Sequence, residues 1–340
     1  MSNMKKSLFL KTVLFILLFG YLSDSLYSQE PKVYFSIKGR KVSTVIGKDI
    51  ALFGLYISDS KGKFERFGWK NAFMNDIAVE KNSSGKDIFL ACGNGIMRSL
   101  DYGKNWKILT SWELTEALRV KIDPSNSKTI YTTTAYGVWK TTDYGETWSK
   151  KVNGLKITSQ TYTNCIDILP SNTNVLYVGT ADGVMKSTDG GESWKEAGLQ
   201  GKEVNDIKIS PFDGNMMLAA TEDHGVFITK DGGKIWKQIN FGLYSMTFYT
   251  VAFDPVNQGT IYCGGYKCGV AKSTNYGEKW ERLDNEIFDK DVYTLAIYQK
   301  NPNIIYAGGM EYGLWRSDNA GVSFKCVAEC DGKVYAITVE

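Results

Sequence analysis

The sequence predicts an all-β fold, a seven-bladed β-propeller whose blades are four-stranded antiparallel meanders. One motif returns along the chain as SLDYGKNW (99–106), TTDYGETW (141–148), STDGGESW (187–194), TKDGGKIW (229–236), STNYGEKW (273–280) and SDNAGVSF (317–324). Its central acid or amide falls at Asp101, Asp143, Asp189, Asp231, Asn275 and Asn319, in steps of 42, 46, 42, 44 and 44 residues. A period of this length, filled by short strands, is the pattern of propeller blades. Composition agrees: Gly (34), Tyr (20), Phe (16) and Trp (9) are plentiful against six Pro, a mix that favours strands and tight turns.

Taken in order, residues 1–28 read as a secretory signal. Lys5, Lys6 and Lys11 give a basic start, and residues 12–22 form an apolar run too short for a comfortable membrane span. Residues 29–340 are then expected to form one propeller. Removing the leader leaves 37 basic against 36 acidic residues, a charge of about +1 instead of +3. Such a balance supplies no basic stripe for nucleic acid and no polybasic segment for a membrane surface.

A worn copy of the motif, SDSKGKF (58–64), places Ser60 in the acid slot and marks the first blade. Each later unit opens on an inner strand, such as LRVKIDP (118–124), DIKISP (206–211) or TVAFDP (250–255). A Pro/Asn turn leads to a second strand, such as TIYTTT (129–134) or IIYAGG (304–309). A Gly hairpin gives a third, such as GVWKTT (137–142), and the motif turns the chain into an outer strand. These spacings leave no room for crossover helices, so the strands must be antiparallel. The final run, KVYAITVE (333–340), resembles the inner strand VYTLAIY (292–298), yet no blade follows it. It is expected to complete the first blade with strands from residues 33–67 and so close the ring, because an open edge would stay exposed. Residues 33–37 and 42–46 each compete for that inner slot.

The motif itself reads as a fastening. Its hydroxyl and carboxylate can bond the turn's own backbone, and its Gly accepts a positive φ. Trp106, Trp148, Trp194, Trp236 and Trp280 each bring a large surface to bury. Asn275 and Asn319 fit this role, since an amide can cap a turn but cannot do acid–base chemistry. On these residues the chain resembles the Asp-box (bacterial neuraminidase) repeat propellers. That group includes the sortilin domain, the photosystem II assembly factors and the two-propeller xyloglucan-cleaving glycosidases. The resemblance covers roughly residues 50–340 and implies fold; the box occurs in enzymes and non-enzymes alike, so it does not imply one activity.

With the box turns on one face of the ring, the longer and more varied loops lie on the other. Trp112, Tyr136, Tyr162, Tyr244, Tyr266 and Tyr312 are expected on that face, where aromatics suit stacking on sugars or gripping a protein loop. Equivalent inner-strand positions at the channel mouth carry Asp76, Arg119, Cys165, Asp206, Thr250 and Thr294. Asp76, Asp206, Glu113 and Glu222 are the candidate acids if a glycosidic bond is cleaved here. A sialidase would need an arginine triad on a carboxylate. Arg98 and Arg316 look instead like strand decoration, replaced by Lys in other blades, and Arg282 simply follows an outer-strand Trp.

Nothing calls for a cofactor or a metal. Of six cysteines, Cys263/Cys268 and Cys326/Cys330 are close enough to staple short loops, while Cys92 and Cys165 read as small buried residues. His224 is the chain's single histidine and has no ligand-spaced partners. The sequence thus points to a secreted or periplasmic, monomeric binding or scaffold propeller with a protein or polysaccharide ligand. The rival readings are a glycoside hydrolase of the xyloglucanase type and an assembly factor for a larger complex.

Overall fold

A computed structural model describes residues 30–38, 54–59, 61–68, 74–109, 113–283, 286–309, 313–328 and 332–340. The expected leader (1–28), Ser60, Trp112, Tyr312, Cys330 and the rival strand 42–46 lie outside them. The described residues form seven four-stranded antiparallel sheets, and helix is confined to one short 3-10 turn, Lys81–Ser83.

Blade 1 has the order Lys333–Val339, Val33–Lys38, Gly54–Ser58, Phe64–Phe67. The C-terminal strand is therefore its innermost, paired antiparallel with the first strand from Val33↔Val339 to Lys38↔Lys333. Lys32 and Glu340 extend the ladder by exchanging backbone bonds at 3.1 and 2.9 Å. The ring closes as the sequence suggests, with 33–38 in the second position.

Blades 2 to 7 follow without crossovers. Their inner strands are Met74–Val79, Ala117–Ile122, Thr163–Ile168, Val204–Ile209, Phe248–Phe253 and Val292–Ile297. Each strand's burial records its place. The second strands, such as Ile130–Thr134, are buried throughout because a neighbouring blade covers each face. Inner strands such as Ala117–Ile122 mix buried and half-buried residues, since part of each faces the channel. Outer strands are short; Lys195–Glu196 is exposed at both residues. The apolar core lies between blades: Leu218 and Ile228 of blade 5 pack with Ile261, Cys263 and Trp280 of blade 6.

The motif turns do what their residue types suggest, and more. Asp189 Oδ1 accepts from Ser187 Oγ (2.7 Å) and the Ser193 amide (2.9 Å), while Ser187 Oγ accepts from the Gly191 amide (2.8 Å). Asn319 repeats this with Ser317 and Ser323. Gly103 shows why Gly is required: at φ +74 an added Cβ would run into the Phe67 ring of blade 1.

The turns also fasten neighbouring blades. The Gly190 carbonyl accepts from Tyr131 Oη (3.0 Å) and Lys140 Nζ (2.8 Å), both in blade 3, and Lys140 lies over the Tyr131 ring. Trp194 Nε1 donates to the Lys151 carbonyl at 3.0 Å. Arg98 is not mere decoration in this setting. It donates to the Tyr144 carbonyl (2.6 Å) and to Glu146 (2.7 Å) in the next blade.

Cys92 and Cys165 are buried as expected. Cys263 and Cys268 are a correction: they stand as unjoined thiols, hydrogen-bonded and buried in the core between blades 5 and 6. Burial there pushes the Cys263 thiol well above its ordinary pKa and keeps it protonated. Cys326 is in a disulfide.

Candidate functional site: the channel and the loop-rich face

A β-bulge near the loop-rich end of each inner strand shapes the channel. Pairing slips between Met74 and Asp76, Ala117 and Arg119, Thr163 and Cys165, Val204 and Asp206, Phe248 and Thr250, and Val292 and Thr294. A bulge re-aims one side chain, so two consecutive residues can face the axis where alternation allows one. The extra residues, including Asn75, Asn164, Asn205, Tyr249, Tyr293 and Tyr335, line a shallow mouth of about 160 Å³ on the loop-rich face. Asp76, Arg119, Cys165, Asp206, Thr250 and Thr294 therefore sit one step deeper, along a cavity of about 560 Å³.

Between the two spaces stand the tyrosines. Tyr249 stacks on Tyr293 at 4.5 Å between ring centroids, and Tyr293 meets Tyr335 at 5.5 Å. These three rings, with Arg119, line both the mouth and the cavity. Burial holds the Tyr249 hydroxyl up at about 12 and Tyr293 higher still, so both remain protonated donors. At its other end the cavity opens among the turns after the inner strands, past Lys81, Asn82, Pro124, Pro170 and Pro211.

The channel acids are engaged by the next blade. Asp76 accepts from the Val120 amide (3.0 Å) and Asp167 from the Ile209 amide (2.9 Å). Asp206 accepts from Thr250 Oγ1 and the Val251 amide, both at 3.2 Å, and from Lys208 Nζ at 2.5 Å. Burial raises the Asp76 pKa, opposed by the nearby Arg119 guanidinium. Glu222 takes a bond from Asn205 Nδ2 at 3.0 Å on the loop-rich face, away from the channel acids, and Glu113 lies exposed ahead of blade 3's inner strand. His224 Nδ1 is bonded to the Glu222 carbonyl (2.8 Å), a backbone contact.

Of the six aromatics expected on the loop-rich face, Tyr136, Tyr162, Tyr244 and Tyr266 are all exposed, Tyr244 to 81%. Backbone bonds fix two of them there: the Ala181 amide donates to the Tyr162 carbonyl, and the Tyr266 amide to that of Thr247. Ile157, Phe241 and Met246 on the neighbouring connections are exposed too. On this face the exposed apolar groups are mixed with Glu203, Glu222, Asp223 and Asp291; others, such as Tyr102, Phe212, Ile235, Val256 and Val322, stand singly on the opposite turns. The tyrosine stack was missed by sequence reading although a signal exists: Tyr249, Tyr293 and Tyr335 recur at steps of 44 and 42 in FYTV, VYTL and VYAI.

No family model and no curated protein matches the chain. Solved structures do. A GH74 enzyme of Niastella koreensis is similar at 18% identity and TM-score 0.69, over 87% of this chain and 54% of that one. The GH74 xyloglucanase of Xanthomonas campestris is similar at 16% and 0.66, over 83% and 50%. YCF48 bound to D1 peptide is similar at 18% and 0.58, over 75% and 82%. The chain spans about half the length of these two GH74 proteins. At such identities the likeness is one of fold, and a β-propeller is what this chain shares with them.

Proposed function

We propose that this protein is a secreted or periplasmic binding propeller, with a loop-rich face that takes a protein or glycan ligand. One contrast carries the reading. The inner-strand acids are committed to amides of the adjacent blade, whereas apolar and aromatic side chains stand exposed together on the loop-rich face. Rigid sheets beneath variable loops suit recognition, because the fold holds the loops at little entropic cost on binding. The neighbours accommodate either ligand class: YCF48 is seen with a peptide, and the Xanthomonas enzyme is a xyloglucanase.

The second reading is a glycoside hydrolase, and the raised pKa of Asp76 favours it, since a general acid must stay protonated. One experiment separates the two. The protein is offered to a panel of plant and host polysaccharides, with retention and released reducing ends both recorded. Binding alone predicts retention without release, reduced about ten-fold or more by Tyr244→Ala with Tyr266→Ala and unchanged by Asp76→Asn. Released ends that vanish in Asp76→Asn or Asp206→Asn would establish the hydrolase. Neither retention nor release would leave a protein partner, to be sought by co-purification.

A further inference from the structure

The cavity opening on the turn face is lined by charges of both signs, but they do not present themselves equally. Lys121 Nζ meets Asp167 at 2.8 Å and Lys208 Nζ meets Asp206 at 2.5 Å. In each pair the cation is the more exposed partner and the acid sits in the channel wall. The Lys121 and Lys208 side chains are 41% and 39% exposed, against 11% for Asp167 and 6% for Asp206.

Hydrogen bonding shows the same asymmetry. Both oxygens of Asp167 are engaged, by Lys121 and the Ile209 amide. Both oxygens of Asp206 are engaged as well, by Lys208 and the Ile207 amide on one, and by Thr250 and the Val251 amide on the other. An ammonium carries three donors and a guanidinium five. Among the described residues, Lys121 and Lys208 each have one acceptor, and Arg119 has the Leu118 carbonyl at 3.0 Å. These three cations converge. Lys208 acts on Asp76, Asp167 and Asp206 alike, Arg119 acts on Asp76, and all line one cavity. At the tyrosine end the Tyr249 and Tyr293 hydroxyls stay protonated and bond to one another.

We propose that this channel is an oxyanion site, in which Arg119, Lys121 and Lys208 receive a carboxylate- or phosphate-bearing small molecule entering from the turn face. Unspent donors on three convergent cations, beside Asp167 and Asp206 whose oxygens are both engaged, call for a ligand rich in acceptors. The volume of about 560 Å³ admits a small multivalent anion, and the tyrosine stack stands between it and the mouth on the other face. The site is separate from the loop-rich surface and does not depend on what binds there.

The test is isothermal titration of the protein with citrate and with pyrophosphate, at constant ionic strength. Saturable binding at one molecule per chain is expected for at least one probe, and the stronger probe tells carboxylate from phosphate chemistry. Arg119→Gln and Lys121→Gln are each expected to weaken it about ten-fold or more, while Tyr244→Ala leaves it unchanged. Lys208→Gln strands Asp206 and is open to folding loss, so Lys208→Arg, which keeps the charge and is expected to retain binding, is titrated beside it. Failure of both probes on the unmodified protein, or equal affinity in the Arg119 and Lys121 variants, would overturn the proposal.

Discussion

Asp189 illustrates what one residue contributes to this fold. Its carboxylate holds Ser187, the Ser193 amide and Ser193 Oγ in one turn, and these bonds keep its pKa far below the ordinary carboxylate range. The side chain is exposed, so much of that shift is offset by water and the stability involved is modest. Asp189→Ala is expected to cost about 1 kcal/mol, a fall in Tm of about 2 °C for a chain of this size. Ligand retention on the loop-rich face stays intact in that variant. Unchanged Tm with lost retention would mean that the turn is a binding element after all. This local role was legible in the sequence because hydroxyl, acid and Gly stand within a few residues. The partnership of Gly190 with Tyr131 and Lys140 was not, because it joins residues 50 or more apart in different blades.

At the scale of elements, the closing strand was legible and the channel wall only partly so. Lys333–Val339 repeats the inner-strand pattern and has no blade after it, and burial of an otherwise open edge assigns it to blade 1. Deleting 333–340 removes the innermost strand and with it Val334 and Ala336 from the cores on either side. The truncated protein is expected to aggregate or to elute as oligomers by size exclusion; a monomeric protein with native circular dichroism would disprove the closure. The channel wall was harder because sequence reasoning assumes strict alternation. Bulges put Asn75 and Asp76, or Tyr249 and Thr250, along the same axial space, so a reading with period two finds one member of each pair.

Across the whole molecule, the box slots distribute one pH-sensitive device around the ring. Asp101 and Asp143 are held down at about 2, chiefly by bonds from Asn105 and Thr147, and Asp189 and Asp231 are lowered in the same way. An unfolded Asp titrates near 3.9. Each folded carboxylate is thus depressed, so the unfolded state binds more protons between these values and stability falls as pH drops from about 4 towards 2. Asp167, lowered by Lys121 despite its burial, adds in the same direction. Blades 6 and 7 provide an internal control: Asn275 and Asn319 occupy the slot and accept the equivalent bonds at 2.8–3.1 Å without titrating. Replacing Asp101, Asp143, Asp189 and Asp231 together with Asn is therefore compatible with the turn and removes its proton uptake. Urea midpoints measured from pH 4.5 to 2 are expected to fall less steeply for the fourfold variant than for the unmodified protein. Parallel curves would place the acid sensitivity elsewhere, with Asp167 in the channel, whose lowered carboxylate ties blade 4 to blade 5.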